Sequence, residues 1–136
     1  MRVCIDTNVF VSGIFWKGSP GAVIESWIEE RFDLVASVPL LDEYKRVLRK
    51  VGVGIDPILA EKWITVLLER VHVIIPALPV KRWSRDRDDD KFIDCALAGN
   101  VNYLVSGDQD LLVLNGQFSF AILKPQAFLS LIKTGL

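Results

Sequence analysis

The chain has 136 residues, 51% of them hydrophobic and 24% charged, and its formal net charge is −1. That length suits one ordinary domain, 1–136, and that apolar content excludes global disorder. The near-neutral balance excludes a generally basic nucleic-acid binder, so any polyanionic partner must be held locally or through metal ions.

Met1-Arg2-Val3-Cys4-Ile5 reads as a short, buried first strand, closed by Asp6. It is too short, and too soon followed by an acid, for a signal peptide. No apolar stretch approaches the ~18 residues a membrane span needs. The expected setting is the cytoplasm. Ser19-Pro20-Gly21 reads as a turn. Val23, Ile24, Trp27, Ile28 and Phe32 then recur at helical spacing, opposite Glu25, Glu29 and Glu30. Asp33 to Ser37 is a second strand. Pro39 suits the first turn of a helix running to about Lys50, stopped by Gly52 and Gly54.

Leu59, Trp63, Val66 and Leu67 mark a further helix, and His72 to Ile75 a third strand. The acidic loop Asp86 to Asp90 leads into a helix ending near Gly99-Asn100. Tyr103 to Ser106 and Phe120 to Leu123 are strands four and five, and Pro125 starts a last helix. This alternation predicts an α/β fold with a parallel sheet covered on both faces. Cys4 and Cys95 have no metal or redox spacing and read as small buried residues in a reducing compartment. His72 reads as a strand or loop residue, which leaves histidine triads without support.

The acids carry the chemistry. Asp6 ends the first strand, where open α/β sheets place their ligand crevice. Glu43 sits on the border of its helix's apolar stripe, whereas Asp42 faces water. Asp90 starts the helix of Phe92, Ile93, Ala96 and Leu97, and Asp94 lies one turn on, on the same face. Asp108 follows Val105-Ser106-Gly107, with Asp110 close behind. Each has a plainer reading as a boundary residue or helix cap, weakest for Asp6. Two carboxylates at ~4 Å cost roughly 4 kcal/mol at an effective dielectric near 20. Acids gathered at one sheet edge therefore call for a cation.

Taken in order, Asp6-Thr7-Asn8, Glu43, the run Asp89 to Ala98 and the run Tyr103 to Leu112 resemble a PIN domain over nearly the whole chain. The similarity is to the bacterial VapC-like group, toxin components of toxin–antitoxin pairs. The resemblance implies a three-layer α/β/α fold with a central parallel five-stranded sheet. It also implies a Mg²⁺- or Mn²⁺-dependent endoribonuclease. Asp6, Glu43, Asp90 and Asp108 would be its catalytic, metal-binding acids, supported by Thr7, Asn8, Asp94, Ser106 and Asp110. Asp6 and Asp108 would ligate first, Asp90 directly or through water, and Glu43 would ligate a second ion or orient the attacking water. One ion or two is left open.

RNA needs positive charge beside such a centre. Lys45, Arg46, Arg49 and Lys50 form one candidate cluster, and Lys81, Arg82, Arg85, Arg87 and Lys91 another, with Trp83 as a stacking surface. The plainer reading is solvated helix and loop faces. The expected partners are RNA, a cognate antitoxin and a second copy of the chain. For self-association the independent hint is the crowding of Phe10, Ile14, Phe15 and Trp16. Two alternatives are a PIN fold used for protein contact without cleavage, and a haloacid-dehalogenase-type phosphatase using Asp6. The second expects an Asp two residues later, where this chain has Asn8.

Overall fold

Three consecutive residues of strand β1 (Arg2–Ile5), Val3, Cys4 and Ile5, are fully buried in the computed structural model of the chain, which describes residues 1–75, 83–85 and 87–134. Successive strand residues point to opposite faces, so burial without alternation means that both faces are covered. Leu34, Val35 and Ala36 of β2 (Asp33–Ser37) are buried in the same way. With β3 (His72–Ile74), β4 (Tyr103–Val105) and β5 (Ala121–Leu123) they form one parallel sheet of order β3-β2-β1-β4-β5. The expected α/β/α fold with a central parallel five-stranded sheet is the one found.

Seven α-helices connect and cover the strands among the described residues: α1 (Thr7–Phe15), α2 (Gly18–Ile28), α3 (Val38–Ile55), α4 (Pro57–Arg70), α5 (Asp90–Ala98), α6 (Gln109–Leu112) and α7 (Pro125–Thr134). No helix is long and apolar enough to cross a membrane among the described residues.

Two expectations about punctuation need correction. The chain reverses at Lys17-Gly18, both with φ near +60°, rather than at Ser19-Pro20-Gly21. Pro20 lies in the first turn of α2, where a missing N–H costs nothing. The second correction concerns α3, which runs on through Gly52 and Gly54 to Ile55. Gly52 serves packing instead of termination. A Cβ there would stand 2.7 Å from the Ala60 Cβ, so its absence lets α4 close against α3.

The topology sets the position of everything that follows. The chain leaves β1 toward β2 and β3, then returns to lay β4 on the other side of β1. The carboxyl ends of β1 and β4 therefore flank the point where strand order reverses, with Ile5 opposite Val105 in register.

Candidate active site

Asp6 and Asp108 emerge from those two strand ends. The Asp6 backbone N–H donates to the Val105 carbonyl at 2.9 Å, which extends the β1–β4 pairing by one residue. Its side chain caps α1, with Oδ1 accepting the Asn8 N–H at 2.8 Å. Oδ2 accepts the Ser106 hydroxyl at 2.5 Å, and the same hydroxyl oxygen accepts the Asp108 N–H at 3.0 Å. Ser106 is fully buried and ties the two acids together. Burial pushes the Asp6 carboxyl above its ordinary range. The Ser106 and Asn8 hydrogen bonds oppose this, and the charges of Asp108 and Glu43 add to it.

Glu43 arrives on α3, whose N-terminus is capped by Ser37. Tyr44, the next residue, is fully buried, stacks on Phe10 and donates its hydroxyl to the Ile5 carbonyl. That contact turns Glu43 toward the sheet end, while Asp42 pairs with Lys45 on the exposed side, as the helical angles predicted. One Glu43 oxygen accepts the Thr7 hydroxyl. The other pairs with the Lys91 ammonium, and the Arg46 guanidinium stands 3.8 Å away.

The third acid is where sequence reasoning and structure part. Asp90 begins α5, but its Oδ1 accepts the backbone N–H groups of Trp83 (3.0 Å) and Ser84 (2.7 Å). It anchors the segment before the helix. The preceding residue, Asp89, lines a cleft of about 170 Å³ with Asp6, Thr7, Asn8, Glu43, Lys91 and Asp108. The signal was present in the periodicity. Counting back four and seven residues from Ile93 and Ala96 gives Asp89, on the side of the helix that those two residues bury, with Asp90 about 100° away. Asp94 accepts the Trp83 indole N–H at 3.2 Å and does not line this cleft. Partial burial raises its carboxyl, the indole hydrogen bond opposes that, and Asp90 adds to it.

Asp108 caps the short α6, its Oδ1 accepting the Asp110 N–H at 2.9 Å. Ligand oxygens of Asp89, Asp108 and Asp110 lie within 4.8 Å of one another. An all-carboxylate set at that spacing fits a hard divalent cation such as Mg²⁺ or Mn²⁺, which takes oxygen ligands. A second, wider cleft of about 390 Å³ shares Asp6, Asn8 and Asp108 and continues along Val9, Ser12, Pro20, Gly107 and Pro125.

Of the basic residues, Lys91 and Arg46 face Glu43. Arg49 is paired with Glu61 on the exposed faces of α3 and α4, and Lys50 is exposed. Arg85 lies 3.9 Å from Asp110. Lys81, Arg82 and Asp86 lie outside the described residues, as does the side chain of Arg87.

A family model described as PIN domain matches residues 2–110. No curated protein matches the sequence. Among solved structures, PAE2754 from Pyrobaculum aerophilum is similar with a TM-score of 0.65 and 17% identity, over 98% of this chain and 90% of that one. VapBC2 from Rickettsia felis, bound to a DNA fragment from their promoter, is similar with a TM-score of 0.59 and 16% identity, over 91% of this chain and 98% of that one.

Proposed function

Because the chain belongs to the PIN domain family, we propose that it is a Mg²⁺- or Mn²⁺-dependent endoribonuclease that hydrolyses phosphodiester bonds. One observation carries this reading. Asp6, Glu43, Asp89 and Asp108 line a single cleft at the switch point of the sheet.

Asp89, Asp108 and Asp110 would hold the ion, with Asp6 beside them. A bound divalent ion supplies charge relief at the phosphate and a more acidic water, so histidine is not needed. The chain's own groups do the rest. Ser106 holds Asp6 and Asp108 at fixed separation. Thr7 and Lys91 fix Glu43, and Arg46 adds positive charge beside it for a polyanionic strand. The shared wall of the two clefts gives a single strand room on either side of the acids.

The family resemblance and the likeness to VapBC2 support the further reading that the chain is the toxin of a toxin–antitoxin pair, with a small cognate antitoxin as partner. We place it in the cytoplasm, where RNA is found and where two buried free thiols, Cys4 and Cys95, stay reduced. The test is cleavage of a panel of RNAs with Mg²⁺, Mn²⁺ or EDTA. Cleavage with either ion, none with EDTA and none by Asp6→Asn is the expected result. Equal cleavage in EDTA, or full activity of Asp6→Asn, overturns it.

A further inference from the structure

The wider cleft shares Asp6, Asn8 and Asp108 with the narrower one, and beyond those three its walls change character. Val9, Pro20 and Pro125 give it apolar surface, and Gly107 leaves open space where a Cβ would stand. Its polar groups other than the acids are Asn8 and Ser12, one turn apart on one face of α1. Among the described residues neither of their side chains has a hydrogen-bond partner, since the Asn8 bond to Asp6 is made by its backbone N–H. At about 390 Å³ the cleft is the size of a small-ligand pocket. The cations stand elsewhere. Lys91 lines the narrower cleft and Arg46 lies beside Glu43 there. Arg85 faces Asp110 and Lys124 precedes Pro125, but no lysine or arginine lines the wider cleft among the described residues.

We propose that the wider cleft takes one unstacked nucleobase, that of the nucleotide beside the cleaved phosphate. This rests on the ribonuclease reading above and names the part of the strand that the chain recognises. A phosphodiester is an anion and belongs with metal or cations. A nucleobase is neutral, with apolar faces and a polar edge, which matches apolar walls carrying two unpartnered polar side chains. The Asn8 amide offers two donors and an acceptor, and the Ser12 hydroxyl either donates or accepts. A base inside a duplex has committed its pairing edge and its faces, so the cleft selects a single strand. The shared wall joins the two sites, with phosphate held over the acids and the adjoining base beside α1. Phosphate contacts position a strand and base contacts specify it, so this cleft is where sequence preference arises.

The test measures binding, with cleavage read separately. The probes are short single-stranded oligomers of adenylate, uridylate and cytidylate, and a ribose-phosphate strand of equal length without bases. Their affinities are measured by fluorescence anisotropy, with Ca²⁺ in place of Mg²⁺ to keep the strands uncut. At least one homopolymer should bind the wild type about tenfold or more tighter than the base-free strand, the size that base stacking contributes. Ser12→Leu fills the cleft and should bring that ratio toward equality with the base-free strand bound as before. Ser12→Gln, of similar bulk, replaces it if melting shows Ser12→Leu to be unfolded. Asn8→Ala should lower the same ratio. Equal binding of all four strands by the wild type overturns the inference. A ratio unchanged in both folded variants gives the cleft to another occupant, such as a protein segment, and overturns it too. Cleavage with Mn²⁺ in either case leaves the nuclease reading standing. Base-dependent binding that Ser12→Leu abolishes, with no cleavage under any metal, keeps the base cleft and overturns the nuclease reading.

Discussion

The Tyr44 hydroxyl donates to the carbonyl of Ile5, so a residue adjacent to Glu43 is bonded to a residue adjacent to Asp6. Two acids that are distant in sequence are thus held by one buried contact between their neighbours. Tyr44→Phe keeps the ring stacked on Phe10 and removes only this bond. The expected cost is about 1 kcal/mol, rising toward ~3 if the Ile5 carbonyl is left without a donor. Urea unfolding measures it, and a stability equal to wild type would show that the hydroxyl does not tie α3 to β1.

Asp89 and Asp90 separate by experiment. Asp89→Asn should lower cleavage by ~100-fold or more and weaken Mn²⁺ binding, because the cleft loses an acid. Asp90→Ala should leave Mn²⁺ affinity close to wild type. Its cost, roughly 1–3 kcal/mol, falls on stability, since the N–H groups of Trp83 and Ser84 lose their acceptor. The reverse pattern in paired titration and melting experiments would return Asp90 to the site.

Ser106→Ala removes the hydroxyl shared by Asp6 and Asp108. Partners that orient ligands are worth about 10–100-fold in metal affinity. A loss of that size is expected, with recovery in Ser106→Thr, which keeps the hydroxyl. Metal titrations that do not distinguish the three proteins would remove Ser106 from the mechanism.

Asp6 makes the metal-free protein sensitive to pH. Its folded pKa is raised, chiefly by burial, so the folded state holds that proton more tightly than the unfolded state. The resulting stability is fully present below the ordinary carboxylate range and is lost as pH rises through the raised folded value. In EDTA, melting temperature should therefore fall over that interval, and Asp6→Asn should flatten the fall and melt higher at pH 7. A metal-free wild type whose stability only rises across the interval would contradict this assignment.

Trp16 is 61% exposed, whereas Phe10 and Ile14 are in the core and Phe15 packs partly against it. Of that crowded stretch, Trp16 presents the most surface for a contact between copies. Wild-type protein at high micromolar concentration should sediment as a dimer and Trp16→Ser as a monomer. A monomeric wild type would end the self-association reading and leave the chemistry untouched.

The central strands β1, β2 and β4 were legible because burial on both faces writes unbroken apolar runs, and Asp6 and Asp108 sit within three residues of such runs. Glu43 was legible from the helical stripe of α3. That Asp89 and not Asp90 lines the cleft was not legible, because helix starts are the least certain part of a pattern and one residue there turns a side chain by about 100°. The length of α3 was missed because a glycine that stops a helix and a glycine that admits a neighbour look alike until Ala60 is seen against Gly52. The Lys91–Glu43 pair joins residues far apart in sequence, which no local periodicity records.

The sheet order has a consequence for the newly made chain. β1 is synthesised first, but its neighbour β4 is the fourth strand to appear, and Asp108 comes only after it. A ribosome that has released residues up to about 100 has produced Asp6, Glu43 and Asp89 on a sheet whose middle is still an open edge. The last acid and the Ser106 hydroxyl that braces Asp6 arrive together, when β4 closes that edge. The set of acids lining the cleft is then complete only once β4 is in place, and no shorter stretch of the chain assembles it.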